Sequence, residues 1–167
     1  MRGGPDYEKS PLLTEQCHRQ DKPIVVTAIG NQMSVYFRSD WYFRGKGFLA
    51  SFTTLPQGAP SSNQNLLITS LPISITNEIS IHPFIDGIGN VAGCGGLFKA
   101  PSGVIQSPNY PENYDRSSDC GWLIEVLANH VVELTIEDFA VVSRTNCSSD
   151  YLAVSDTFFN NYWLNGL

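Results

Sequence analysis

The sequence is short of the features that mark enzymes, nucleic-acid binders and membrane spans. It holds no His-Glu-x-x-His pair, no Gly-x-Ser-x-Gly elbow and no phosphate loop, so the commonest hydrolase and nucleotide-binding chemistries are excluded and no catalytic residue is expected. Its three histidines, His18, His82 and His130, stand without metal-ligand spacing to one another or to a Cys/Asp cluster. Basic residues are scattered: ten Lys and Arg against sixteen Asp and Glu leave a formal net charge of −6. Without a basic stripe, neither a nucleic-acid partner nor binding to an anionic membrane surface is expected. No run of about 18 apolar residues occurs, so no membrane span is expected. The first nine residues, Met1 to Lys9, contain no apolar signal core.

What is present reads as short strands punctuated by turns. Met33, Val35 and Phe37 share one face of an alternating segment, and Phe48, Ala50 and Phe52 share one face of another. Trp122, Ile124 and Val126 repeat the pattern, as do Val132, Leu134 and Ile136, with Glu133, Thr135 and Glu137 on the opposite and wetter parity. A short strand leaves Asp150 through Tyr151 and Val154. Ser107-Pro108-Asn109-Tyr110-Pro111 is excluded from helix interiors, because each proline lacks an amide donor and pushes the preceding residue toward extended geometry. Phe37, Phe48 and Trp122 are expected in the core, whereas Trp41, Tyr42 and Phe43 follow Asp40 on a loop open to a partner. Four cysteines in such a chain point to a disulfide-stapled β domain and an oxidising compartment. That compartment and the missing signal core fit together if the chain is an internal piece of a longer secreted or membrane-anchored protein. Gly87-Ile88-Gly89-Asn90-Val91-Ala92-Gly93 imitates a dinucleotide loop, but its last spacing is one residue too long and Cys94-Gly95-Gly96 follows instead of a helix.

Several spaced elements together carry a family resemblance. Cys94 opens the stretch, Ser107-Pro108-Asn109-Tyr110-Pro111 with Tyr114 forms its turn, Cys120 lies two positions before Trp122, and Cys147 lies three before Asp150. This resembles the first half of a CUB domain, the extracellular β-sandwich of complement proteases, tolloid-type metalloproteases and spermadhesins, and its Cys-Gly-Gly opening leans toward cubilin-like tandem arrays. Residues 1–54 resemble the second half of such a domain, carried by Gly30-Asn31, Phe37-x-Ser39-Asp40 and Gly47-Phe48-x-Ala50-x-Phe52, with His18 departing from the glycine common after the cysteine. The expected organisation is therefore a second half over 1–54, an atypical connector over 55–93, a first half over 94–156 and a non-family tail over 157–167. The expected fold class is all-β, a CUB-type antiparallel, jelly-roll-like sandwich in two incomplete halves. The connector counts 39 residues, which span about 35 Å as a flexible chain, long enough for the halves to combine as one permuted sandwich.

The resemblance also implies a set of sites. Cys94 and Cys120 match the family's first disulfide; closing that ring contributes about 3.5 kcal/mol by chain entropy. Cys17 and Cys147 are each half of its second disulfide and meet only if the halves combine. A Ca²⁺ site at the loop end implies Tyr114, Asp150 and Asp40 as metal-site residues, weakened because the family's glutamate position holds Val142. Trp41 and Tyr42 are the candidate ligand contacts, and Asn146-Cys147-Ser148 makes Asn146 a candidate glycosylation site. The implied function is a non-enzymatic extracellular or cell-surface module binding protein ligands in an endocytic receptor. The competing readings are the non-catalytic region of a secreted complement- or tolloid-type protease, or a truncated product without a function of its own.

Overall fold

A computed structural model describes residues 11–58, 94–143 and 145–156. The described residues form nine strands: β1 (Leu12–Gln16), β2 (Ile24–Thr27), β3 (Gln32–Arg38), β4 (Gly47–Pro56), β5 (Gly96–Phe98), β6 (Ser102–Gln106), β7 (Asp119–Glu125), β8 (His130–Ala140) and β9 (Tyr151–Asp156). Among the described residues a 3-10 turn, Thr145–Cys147, precedes β9. The strands make two sheets, ordered β1-β9-β3-β7-β5 and β2-β8-β4-β6. All neighbours run antiparallel except β5, which lies parallel to β7. The family resemblance implied an all-β antiparallel sandwich, and the described residues form one, except that β5 runs parallel to β7.

The alternating segments supply its core. Met33, Val35 and Phe37 from β3 and Trp122 and Ile124 from β7 line the inner face of the first sheet. Phe48, Ala50 and Phe52 from β4 and Val132, Leu134 and Ile136 from β8 line the inner face of the second. Between the sheets runs an aromatic spine. The Phe37 ring lies 5.2 Å from Tyr114, edge-on at 77°. It lies 5.6 Å from Phe48, which in turn meets Trp122 at 5.6 Å and 87°. Such edge-to-face pairs add to the transfer free energy of the buried rings by about 0.5–1.5 kcal/mol each.

The opposite face of β8 differs from expectation, since Val131 and Glu133 are buried as well. The reason is position. β8 lies between β2 and β4, and Glu133 sits in register with Thr27 on one side and Thr53 on the other, so neighbouring strands screen it from water. Similarly, β4 continues through Leu55 and Pro56, two residues past the expected boundary after 54. Pro56 is tolerated because it is the last residue of the strand.

The pairing between strands has a pattern of its own. β1, β2, β3 and β4 come from the segment 11–58, and β5 to β9 from the segment 94–156. Every lateral pairing joins one segment to the other, β5 with β7 excepted. The segment 11–58 therefore contains no strand pair of its own. Two disulfides staple this arrangement. Cys17 is bonded to Cys147 across a sequence separation of 130, and Cys94 to Cys120 across 26. The first joins the two segments, and the second lies within the later one.

Phe37→Ala tests how far the spine holds the sheets together. A fully buried Phe→Ala change is expected to cost about 3–5 kcal/mol, read as a lowered urea midpoint with an unchanged m-value.

Candidate functional site

One end of the sandwich gathers the loop after β3, the turn 107–114 and the segment between β8 and β9. Tyr114 is its pivot. Its backbone amide donates to the Gly45 carbonyl at 3.0 Å, and its ring is fixed by Phe37. A glycine is required at position 45, because a Cβ there would overlap the Ala140 carbonyl and crowd both Tyr114 and Val142. Gly47 has φ of +89° and leaves room for the Ser107 side chain, which accepts from the Phe48 amide at 3.0 Å. These two close approaches hold the turn against the start of β4.

So oriented, the Tyr114 hydroxyl donates to Asp150 Oδ2 at 2.6 Å and accepts from the Val142 amide at 3.3 Å. Asp150 is completely buried. Its other oxygen, Oδ1, accepts from the Asp40 amide at 2.7 Å. Asp40 then turns its own carboxylate back on its loop, where Oδ1 accepts from the Tyr42 and Phe43 amides at 2.7 and 3.1 Å. Below it, Ser39 donates its hydroxyl to the Asp115 carbonyl and accepts from the Ser118 amide, both at 2.8 Å. The loop after β3 is thereby stitched to the loop before β7. Burial pushes the Asp150 carboxyl above the ordinary aspartate range, against the pull of the Asp40 amide and the Tyr114 hydroxyl. Burial, then the neighbouring Asp150, pushes the Tyr114 hydroxyl up, so it remains a donor.

The structure brings Tyr114, Asp150 and Asp40 together, with Val142 beside them. It places Trp41 and Tyr42 on the rim, 62% and 54% exposed, with ring centroids 4.1 Å apart. Asn146 is exposed at φ of 62°, beside the bridged Cys147. One cluster escaped the sequence reading. Asp138 Oδ2 accepts from the Tyr110 hydroxyl at 2.7 Å and pairs with Lys46. Lys46, and then Tyr110, hold the Asp138 carboxyl below the usual range. The only sequence hint was the tyrosine between two prolines; Lys46 and Asp138 carry no local signal. Residues 59–93 and 157–167 lie outside the described residues, so most of the connector, the Gly87–Gly93 stretch that imitates a dinucleotide loop and the non-family tail do too.

A cystine-bridged β-sandwich with a tyrosine–aspartate centre at one loop end defines the class of module. Residues 94–164 match the family profile described as CUB domain. The chain belongs to the CUB domain family. It is 31% identical to dog cubilin over 157 residues, which are 93% of this chain and 3% of cubilin. It is 31% identical to human Tolloid-like protein 1 over 151 residues, 90% of this chain and 11% of that protein. It is 32% identical to Blastula protease 10 of Paracentrotus lividus over 140 residues, 80% of this chain and 22% of that protein. The chain thus spans only a small part of the curated relatives it matches. No solved structure matches it.

CUB domains commonly bind calcium. The donor set here does not fit that ion. Calcium takes six to eight oxygen ligands, as a rule with several carboxylates among them. Among the described residues there is no group of three or more His, Cys, Asp or Glu positioned to hold a metal. Asp150 is buried with both oxygens taken by protein donors, Asp40 spends Oδ1 on two amides, and the third acidic position is the apolar Val142, 43% exposed.

Two outcomes are expected. Differential scanning calorimetry will show no calcium-dependent rise in Tm for the natural chain at about 1 mM Ca²⁺, whereas Val142→Glu, which restores a third carboxylate, will gain one. The second concerns pH. The folded state holds the Asp150 proton more tightly than the unfolded chain does, so its contribution is fully present below the unfolded value near about 3.9 and is lost as the pH rises through the raised folded value. Urea titrations from about pH 4 to about pH 7 are expected to show Asp150→Asn lacking that part of the decline.

Proposed function

We propose that the chain is a non-catalytic, extracellular protein-binding module of the kind found in cubilin-like endocytic receptors, and that it captures ligands with the Trp41–Tyr42 loop. The observation that carries this reading is the pairing of two exposed, adjacent aromatic rings, tilted at 39°, with a loop that is internally fixed. Aromatic side chains bury large area at small entropic cost. The loop beneath them is already ordered by the Asp40 cap and the Ser39 bonds, so binding orders little that is not ordered beforehand. The two disulfides and the net charge of −6 suit an oxidising compartment and a basic ligand surface. A ligand lysine fits this rim chemically: its ammonium group is attracted by the Trp41 face and by the Asp40 carboxylate. Calcium has no part in the recognition. In the same setting Asn146, exposed within its acceptor tripeptide, carries an N-glycan.

A second reading is favoured by the matches to Tolloid-like protein 1 and Blastula protease 10. In that setting the same rim holds substrate or a neighbouring domain beside a protease that lies elsewhere in the parent protein. The interleaved core supports either role over that of a truncated product without function.

A biosensor bearing an immobilised lysine-rich probe protein tests the proposal. The chain is expected to bind it in EDTA as well as in calcium, and Trp41→Ala/Tyr42→Ala to weaken binding at least about tenfold, or about 1.4 kcal/mol. Acetylating the probe's lysines is expected to have a similar effect. Undiminished binding by the double variant would end the assignment of the rim.

A further inference from the structure

The interleaved pairing makes each segment a template for the other. Parted from 94–156, the segment 11–58 offers four strands with no partners among themselves. The segment 94–156 retains only the short β5–β7 pair. Each segment also exposes half of the apolar spine, with Phe37 and Phe48 on one side and Tyr114 and Trp122 on the other. Nothing in these pairings requires the two segments to belong to one molecule. A second copy of this chain presents the same strands in the same register.

Covalent connection selects the partner, and its reach is legible. β4 ends with Pro56 opposite His130, and the Gln57 amide bonds the Asn129 carbonyl. The later segment restarts at Cys94, bonded to Cys120 near the other end of β7. From Cys120 to Val126 the rise is about 20 Å at ~3.3 Å per residue, so the chain between Gly58 and Cys94 must cross roughly that height. The natural chain has residues to spare. Connectors of this kind give effective concentrations near the millimolar range, which a second copy overcomes only when it is comparably concentrated.

We propose that this chain forms a reciprocal dimer by exchanging these segments with a second copy of itself, and that the Cys17–Cys147 bond locks whichever partner has been taken. The closing step is an oxidation by a glutathione-type disulfide. The Cys17 and Cys147 thiols lose two electrons and two protons as their S–S bond forms. The S–S bond of glutathione disulfide breaks, and its two sulfurs take them up as two glutathione thiols. Cys94 and Cys120 lie in one segment and stay within one copy in either form, so they serve as an internal control.

The test uses the full chain. Heavy-nitrogen and ordinary copies are reduced, unfolded together and refolded with glutathione and its disulfide, at about 5 µM and about 500 µM. Mass spectrometry then reads the isotope pairing of each bridged peptide. Mixed Cys17–Cys147 pairs are expected to rise at least about tenfold between the two concentrations while Cys94–Cys120 pairs remain unmixed. No rise, no mixed pair whatever the refolding yield, or equal mixing of both bridges overturns the proposal. A variant lacking 59–91 supplies a second measurement. Its connector reaches only about 11 Å, too short to close within one chain, so light scattering is expected to show a folded dimer. A folded monomer there overturns the proposal, and the isotope experiment decides it even where this variant fails to fold.

Discussion

The structure depends on one constraint: among the described residues, every strand of the segment 11–58 finds its strand partners in 94–156 and none within 11–58. β3 is held between β9 and β7, and β4 between β8 and β6. Backbone amides and carbonyls left unpaired in an apolar interior cost as much as lost hydrogen bonds, so neither segment stays compact alone. Burial works the same way. Phe37 and Phe48 are neighbours in one segment, yet the rings that enclose them, Tyr114 and Trp122, come from the other. Sheet pairing, core packing and the Cys17–Cys147 bridge all bind the same two parts.

The site inherits this dependence. Asp40 reaches Asp150 only because β3 and β9 are adjacent, with Arg38 in register with Tyr151 just below the loops. Tyr114 reaches Asp150 because Phe37 fixes its ring and Gly45 admits it. A buried carboxylate is costly unless its oxygens are satisfied, and here an amide and a hydroxyl satisfy them. Val142 then completes a centre that holds these loops together, its amide bonded to the Tyr114 hydroxyl.

Most of the strand content was legible because alternation reports which residues face inward, and in β3, β4 and β7 one face is buried and the other is not. β8 was less legible. Two of its outward residues, Val131 and Glu133, are buried beside neighbouring strands, and no periodicity within one strand records what lies beside it. The parallel setting of β5 was hidden for a similar reason: three residues are too few to show a pattern. In the site, the grouping of Tyr114, Asp150 and Asp40 was readable only through the family resemblance. The direction in which Asp40 turns its carboxylate was not, nor was the Lys46–Asp138–Tyr110 cluster, whose members come from three separate stretches of chain. Contacts of that range depend on the final register of β4 on β8, which the local sequence does not state.

β1 and β9 lie side by side with Leu12 opposite Ser155, and the Asp156 amide bonds the Pro11 carbonyl. The first and last described strands therefore meet at one end of the sandwich. In a string of linked modules, tension would not run through such a body but would pull its two ends directly apart, peeling β1 from β9 one rung at a time rather than shearing the whole ladder at once. Peeling meets Gln16 opposite Leu152 last, and next in line is Cys17, covalently tied to Cys147. The bridge is thus placed as a mechanical stop, so a stretched molecule would surrender its outermost strand and keep its interior closed.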